Sequence, residues 1–411
     1  MEKYLIVLDH EYRVPPFMIS LLQYAERDFE KVYYINTNKP QNADLFSNSG
    51  INILFPSKIS KIKSAIVAAL RFFSFENIKQ WWFCVRKEGF SLNYIRQLFC
   101  YLAADITTKT LARRIIREKG DDAKMIVLAA WFAAAALATS ELKREFPQIK
   151  AVSLAHSYEI LILRNKFIPY LYVSQKHKYL DGVFFIANKV RELYIEGIGG
   201  LKDAYFKKTH VCYLGSFKKN DVINVSNPNE FHICTCSRMV PLKRLDVLMD
   251  ALATWDKGDI FWTHLGGGEL EATLRQKAHD VMDNNPRVHI QFTGYLINEK
   301  VKEYYGQNPI DLFINLSSIE GLPISIMEAI SYGLPVLATD VGGTNEIVNK
   351  GFGMLINSNI SPEIVKQHIY DFMNFPEERR NQFRKNAYLH WKNNFDAERN
   401  MKVLFDIINT I

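Results

Sequence analysis

Short apolar runs rich in β-branched residues alternate along this chain with longer segments whose apolar positions recur every three to four residues. Seven such runs come first, at residues 4–8, 32–36, 51–54, 125–128, 151–155, 183–186 and 210–214. Six more follow at 231–236, 260–265, 288–292, 312–315, 336–338 and 353–355. Apolar runs of this length, separated by amphipathic segments, read as parallel strands joined by crossover helices. The pattern therefore predicts an α/β protein of two doubly wound, Rossmann-like domains. Residues 218–221 and 226–230, between the two series, are polar, include a proline and lack periodicity, which marks the domain boundary. Ligands of doubly wound folds bind beyond the carboxyl ends of the strands, so two such domains are expected to face a central cleft.

Composition supports a globular reading: 411 residues, 48% hydrophobic and 23% charged. Five cysteines (Cys84, Cys100, Cys212, Cys234, Cys236) are too few and too scattered for a disulfide framework or a zinc knuckle. Cys234 and Cys236 lie two apart in a predicted strand and so share a face, as small buried hydrophobes. The amino-terminal apolar run is too short for a signal peptide, which predicts a cytoplasmic chain. The longest uncharged apolar run, 125–138, has 14 residues, against the roughly 20 that span a bilayer.

Net charge is +7, and its distribution changes the picture. Residues 57–119 hold 13 Lys and Arg against 4 Asp and Glu, a local +9 that leaves −2 for the rest. The same stretch contains Phe72, Phe73, Phe75, Trp81, Trp82, Phe83, Phe90, Phe99 and Tyr101. Mixed cations and aromatics suit nucleic acid, or an anionic membrane carrying a lipid-phosphate substrate. A solvated helical face over an aromatic core is the plainer alternative.

The densest chemical signal is Glu320-Gly321-Leu322-Pro323, then Glu328-Ala329 and Gly333-Leu334-Pro335. A strand ending near Asn315 is expected to run into a glycine turn, with Pro323 at the first helical position and Gly333 at the helix end. Exposed amides at Gly321 to Ile324, at the positive end of the helix dipole, form an anion site. Glu328 lies about 7 to 8 Å further along the axis, where it can accept hydroxyls of a ligand whose phosphate sits at the helix start. After strand 231–236, Arg238 and Lys243 stand five apart in one loop and supply cations that a departing diphosphate requires.

In this context the sequence resembles the retaining glycosyltransferases of family four, of GT-B fold, whose signature is a glutamate, seven residues and a second glutamate. The resemblance implies that Glu320 lies by the donor-sugar hydroxyls, that Glu328 binds the nucleotide ribose, that Arg238 and Lys243 hold the diphosphate with amides near Gly321, and that Leu322 and Pro323 belong to the same donor site. Gly267, Gly294 and Tyr295, in order after Arg238 and before Glu320, match loops that wall the base and ribose. His156, in Ala155-His156-Ser157-Tyr158-Glu159, matches a histidine that reaches the donor sugar in bacterial surface-polysaccharide relatives, with Glu159 in place of the usual aspartate. Two departures stand out. The family has glycine after the lysine, where this chain has Arg244, and a glycine-rich first loop, where this chain has residues 9–16 without glycine; His10, Glu11 and Arg13 are its acceptor-side candidates. The end of the chain resembles the family's closing helix, which crosses back to the first domain.

The resemblance implies an acceptor-binding domain at 1–222, a donor-binding domain at 228–390 and the crossing helix at 391–411. It further implies a retaining hexosyltransferase that uses a UDP- or GDP-linked sugar, needs no metal or other cofactor, and serves capsule or lipopolysaccharide O-antigen synthesis. The expected partners are a lipid-linked or oligosaccharide acceptor and, through residues 57–119, the inner face of the cytoplasmic membrane, with nucleic acid excluded. A GT-B nucleotide-sugar epimerase and a non-catalytic sugar-nucleotide-binding subunit are the alternatives.

Overall fold

A computed structural model describes residues 2–160, 171–218, 227 and 230–411. Most of the polar boundary segment, 219–226 with 228–229, and the stretch 161–170 lie outside the described residues. The chain forms two compact units, Met1–Tyr213 with Met401–Ile411, and Leu214–Asn400.

The first unit holds a parallel sheet ordered β3-β2-β1-β4-β5-β6-β7. Its strands are β1 (Lys3–Asp9), β2 (Lys31–Asn36), β3 (Ile51–Leu54), β4 (Lys124–Ala129), β5 (Lys150–Ala155), β6 (Gly182–Phe185) and β7 (Thr209–Val211). The second holds a parallel sheet ordered β10-β9-β8-β11-β12-β13. These strands are β8 (Phe231–Cys236), β9 (Ile260–Leu265), β10 (Val288–Phe292), β11 (Leu312–Asn315), β12 (Val336–Thr339) and β13 (Gly353–Ile356). Each of the thirteen apolar runs overlaps a strand; the central strands are almost continuously buried, as a parallel sheet covered on both faces demands, whereas the edge strands β3 and β10 are partly exposed. Strand order reverses beside β1 and β4 in one sheet and beside β8 and β11 in the other, where such folds present ligand sites. The 125–138 run divides into β4 and the start of helix Ala134–Glu145, and no helix among the described residues is long and apolar enough to cross a membrane. Cys234 is fully buried, and burial pushes the half-buried Cys236 thiol up to about 12, so neither supplies a thiolate.

The basic, aromatic stretch forms α2 (Lys58–Phe72), α3 (Phe75–Glu88) and α4 (Leu92–Lys119); α1 is Pro16–Asp28 and α5 is the helix Ala134–Glu145. The structure divides its aromatics between core and surface. Phe72, Trp81, Phe99 and Tyr101 pack with Ala68, Leu98, Leu102, Ile106 and Leu137. Phe73, Phe75, Trp82, Phe83 and Phe90 remain exposed. Its cations divide too. Arg71 of α2 donates to Asp105 at 3.1 Å and to Glu141 at 2.8 Å, and Lys109 pairs with the same two carboxylates. Arg113 and Arg117 pair with Glu145. Among the described residues, four of the thirteen cations are thus matched by acids on α4 and α5; α2 carries three further cations and no acid, whereas α3 and α4 each carry two acids as well.

Asp105 is fully buried, so its removal strands Lys109 and Arg71 with half their counter-charge. Asp105→Ala is expected to lower stability by about 3 kcal/mol in urea unfolding, whereas Arg113→Ala, which breaks a partly exposed pair, costs less than about 1 kcal/mol. Equal losses would contradict this division.

Candidate functional site

In the second unit the candidate residues lie on loops leaving the carboxyl ends of β8 to β12. After β8 the chain passes through exposed Arg238 and a short turn, Pro241–Lys243, to Arg244, which adopts φ +51°. A left-handed residue suits glycine, and an L side chain there costs about 1 kcal/mol. Arg244 accepts that conformation and turns away, donating from Nη1 to the Ser358 carbonyl at 2.6 Å. Lys243 is therefore the cation that faces inward, its Nζ donating to Glu320 Oε1 at 2.5 Å, with both side chains largely buried.

Glu320 is held from behind. A Cβ on Gly342, which has φ +56°, would lie 1.9 Å from the Glu320 carbonyl oxygen, so only glycine permits this approach. Next to it, the Gly343 amide donates to the Gly321 carbonyl at 2.7 Å. The β9 and β10 loops are joined in the same manner: the Gly266 amide donates to the Gly294 carbonyl at 3.1 Å, and the Met239 amide to Gly267 at 2.9 Å. Tyr295 stands exposed beside them.

Gly321, Leu322 and Pro323 are buried and lead into helix Ile324–Ser331, with Pro323 at the N-cap, one position before the first helical place expected of it. The first-turn amides of a helix have no intrahelical partner and face the space before it. Glu328, on the fifth helical residue, is buried and accepts from Asn298 Nδ2 at 2.5 Å. Burial raises its carboxyl above the usual range, opposed by Asn298 and by Lys302. A ligand hydroxyl reaching this acid finds a buried acceptor already oriented.

In the first unit, His156 follows β5 and its ring lies between Phe17 and Trp131, at centroid distances of 4.4 and 4.6 Å. Burial pushes its pKa down to about 3, opposed by a hydrogen bond to the Ala130 backbone, so the imidazole is neutral at pH 7. Its Nε2 has no protein partner among the described residues. Glu159 does not project outward: Oε1 accepts the amides of His156 at 2.8 Å and Phe132 at 3.2 Å, and burial pushes its carboxyl up to about 8. The loop after β1 is shaped by Asp9, which is fully buried. Its Oδ1 accepts the amides of His10 at 2.6 Å and Glu11 at 3.1 Å and the Trp131 indole at 3.0 Å, while Oδ2 accepts the Tyr34 hydroxyl at 2.5 Å. His10 and Glu11 are half-buried, burial raises the Glu11 carboxyl, and Arg13 is exposed.

Sequence reasoning missed Asp9, Trp131, Asn298 and Gly342. Gly342 had a signal, a Gly-Gly pair one residue after a buried strand and Asp340; the other three act across elements far apart in sequence.

Residues 216–390 match the family model described as Glycosyl transferases group 1. The chain is 27% identical over 191 residues to an O-antigen biosynthesis glycosyltransferase, WbnH, of Escherichia coli, covering 44% of this chain and 52% of that one. It is 28% identical over 122 residues to an amylovoran biosynthesis glycosyltransferase, AmsK, of Erwinia amylovora, covering 28% and 29%. The chain thus spans about half or less of the length of these curated relatives. Among solved structures, Anabaena HepE in complex with UDP-glucose superposes with a TM-score of 0.67 at 16% identity over the whole of both chains. The fold is GT-B.

Gly342→Ala is expected to lower stability by about 2 kcal/mol in urea unfolding, because a backbone carbonyl cannot yield as a side chain can. His156 stays neutral in the native state down to about pH 3, while the unfolded chain protonates it near 6.5, so its contribution is present above pH 6.5 and lost as pH falls. Between pH 6.5 and 5, His156→Gln should lose about 1.5 kcal/mol less stability than the parent. An identical pH profile would show that the ring is not buried.

Proposed function

We propose that this chain, whose residues 216–390 form a glycosyl transferases group 1 domain, moves a sugar from a nucleoside-diphosphate sugar to a lipid-linked saccharide in bacterial surface-polysaccharide synthesis, with retention at the anomeric carbon. The observation that carries this reading is the Lys243–Glu320 pair beside the start of helix Ile324–Ser331, with buried Glu328 deeper in the same helix. A cation, the amide end of a helix and a buried acid in that order suit a diphosphate joined to a ribose. The HepE structure carries UDP-glucose, which supports a UDP-linked donor.

In this reading Lys243 moves from Glu320 to the diphosphate, joined by Arg238 and the amides from Gly321 onward. Glu320, released, accepts donor-sugar hydroxyls, and Glu328 accepts the ribose hydroxyls. Gly267, Gly294 and Tyr295 wall the base. As the bond from the anomeric carbon to the diphosphate oxygen breaks, negative charge grows where Lys243 and the helix dipole act. The acceptor oxygen bonds to the same face of that carbon, and its proton passes to the departing diphosphate. No side-chain nucleophile is required. His156, neutral with an open Nε2, positions the sugar, and His10, Glu11 and Arg13 serve the acceptor. The fixed cations make the transfer independent of metal and of any other cofactor. The acceptor's lipid places the reaction at the inner face of the cytoplasmic membrane.

Labelled UDP- and GDP-sugars incubated with and without membranes carrying lipid-linked saccharide test the reading. Label is expected to enter the lipid fraction with the donor's anomeric configuration; conversion of the sugar nucleotide without membranes would show an epimerase instead. Lys243→Ala should lower kcat 100- to 1,000-fold, the scale of losing one preorganised charge-stabilising contact, and transfer at the parent rate would remove the site assignment. EDTA should leave the rate unchanged, whereas loss restored by magnesium or manganese would overturn metal independence.

A further inference from the structure

Helix α2 carries apolar side chains on the face it turns to solvent. Ile59, Ile62, Ile66 and Leu70, with Phe73 just past the helix end, recur at i, i+3, i+7, i+11 and i+14 and are 67, 61, 56, 73 and 74% exposed. Helix α3 continues the pattern with Phe75, Ile78 and Trp82 at i, i+3 and i+7, all exposed. Single exposed apolar residues are ordinary on protein surfaces; eight in register along two consecutive helices are not.

The opposite face of α2 shows that this orientation is fixed. Ser64 and Ala68 are buried against the core, and Arg71 is tied to Asp105 and Glu141. Asn77 of α3 donates to the Arg71 carbonyl at 2.6 Å, holding the turn between the helices. Rotating α2 to bury its stripe would break both ion pairs and that hydrogen bond.

Exposed cations border the stripe. At 100° per residue, Lys63 lies about 20° beyond Leu70 and Lys58 about 40° to the other side of Ile62, while Lys61 falls further round, near Ala68, where its Nζ donates to Asn38 Oδ1. Exposed Lys79 and Arg86 lie on α3, with Arg86 over the Trp82 ring at 5.4 Å. An aliphatic stripe edged by lysines matches an interfacial helix, whose apolar side enters the acyl boundary while cations stay at the phosphates. Two copies of this face, packed on each other, would set lysine rows against lysine rows. A nucleic acid would engage the lysines and leave Ile59, Ile62, Ile66 and Leu70 in water.

We infer that the outer faces of α2 and α3 form a membrane-docking face that lies in the headgroup layer of an anionic bilayer. This deepens the membrane reading proposed above, from a basic stretch of sequence to an oriented pair of helices in which aliphatic insertion and lysine attraction act together. It requires no sugar, nucleotide or turnover, so its test is separate from that of transfer.

Full-length protein is titrated with vesicles of phosphatidylglycerol and phosphatidylethanolamine, and with phosphatidylcholine vesicles. Binding should favour the anionic vesicles at least ~10-fold and weaken with salt. Lys58→Gln, Lys61→Gln and Lys63→Gln together should weaken it on the order of 100-fold, and Ile62→Asp with Leu70→Asp at least ~10-fold, with thermal midpoints unchanged because these side chains are exposed. Brominated acyl chains should quench tryptophan emission, and Trp82→Phe should remove most of that quenching. Equal binding to neutral vesicles, quenching that survives Trp82→Phe, or a dimer abolished by Leu70→Asp would each overturn the inference, the last by showing a contact between copies. Vesicle binding without sugar transfer would sink the transferase reading and leave this face standing.

Discussion

The second unit is organised around one buried pairing of opposite charges, Lys243 with Glu320, at the ends of two strands that are neighbours in the sheet but far apart in sequence. With both side chains largely buried, each charge is costly alone, so each fixes the other. The surrounding backbone serves this arrangement. Gly342 lets its loop reach the Glu320 carbonyl, the left-handed Arg244 directs Lys243 inward, and Pro323 starts the helix whose amides and Glu328 lie beyond. In the proposed function, this pair is where an anion exchanges for a carboxylate.

The first unit reaches a defined loop by different means. The resemblance implies a glycine-rich first loop, which would let backbone amides crowd a ligand. Here Asp9 gathers two amides, an indole and a phenol onto one carboxylate. Because Trp131 is one of those partners and also flanks His156, the loop after β1 and the histidine after β5 are mechanically linked. The missing glycines mark a different solution to the same constraint.

Much of this was legible in the sequence, and the boundary follows physical lines. Strand runs could be read because a parallel sheet buried on both faces admits little but apolar residues. Glu320, Pro323 and Glu328 could be read because helix start, anion site and acid lie within one short segment. Residues 57–119 gave their charge and aromaticity but not their partition: Phe72 and Phe73 are adjacent, yet one packs inward and the other is exposed, an orientation held by the buried Ala68 and by the ion pairs of Arg71. Asn298 beside Glu328, and Asp9 beneath Trp131, were invisible because the contact is made between elements that the linear order separates.

Lys243, paired with Glu320 in the free protein, is the proposed contact of a nucleoside diphosphate. Calorimetric titration with UDP and GDP, on the parent and on Lys243→Ala, tests it most directly. One of the two nucleotides is expected to bind the parent, with affinity reduced tenfold or more in Lys243→Ala, since a charge-assisted contact to phosphate contributes about 1.5 to 3 kcal/mol. Equal affinity in the two proteins, or no binding of either nucleotide to the parent, would contradict the account.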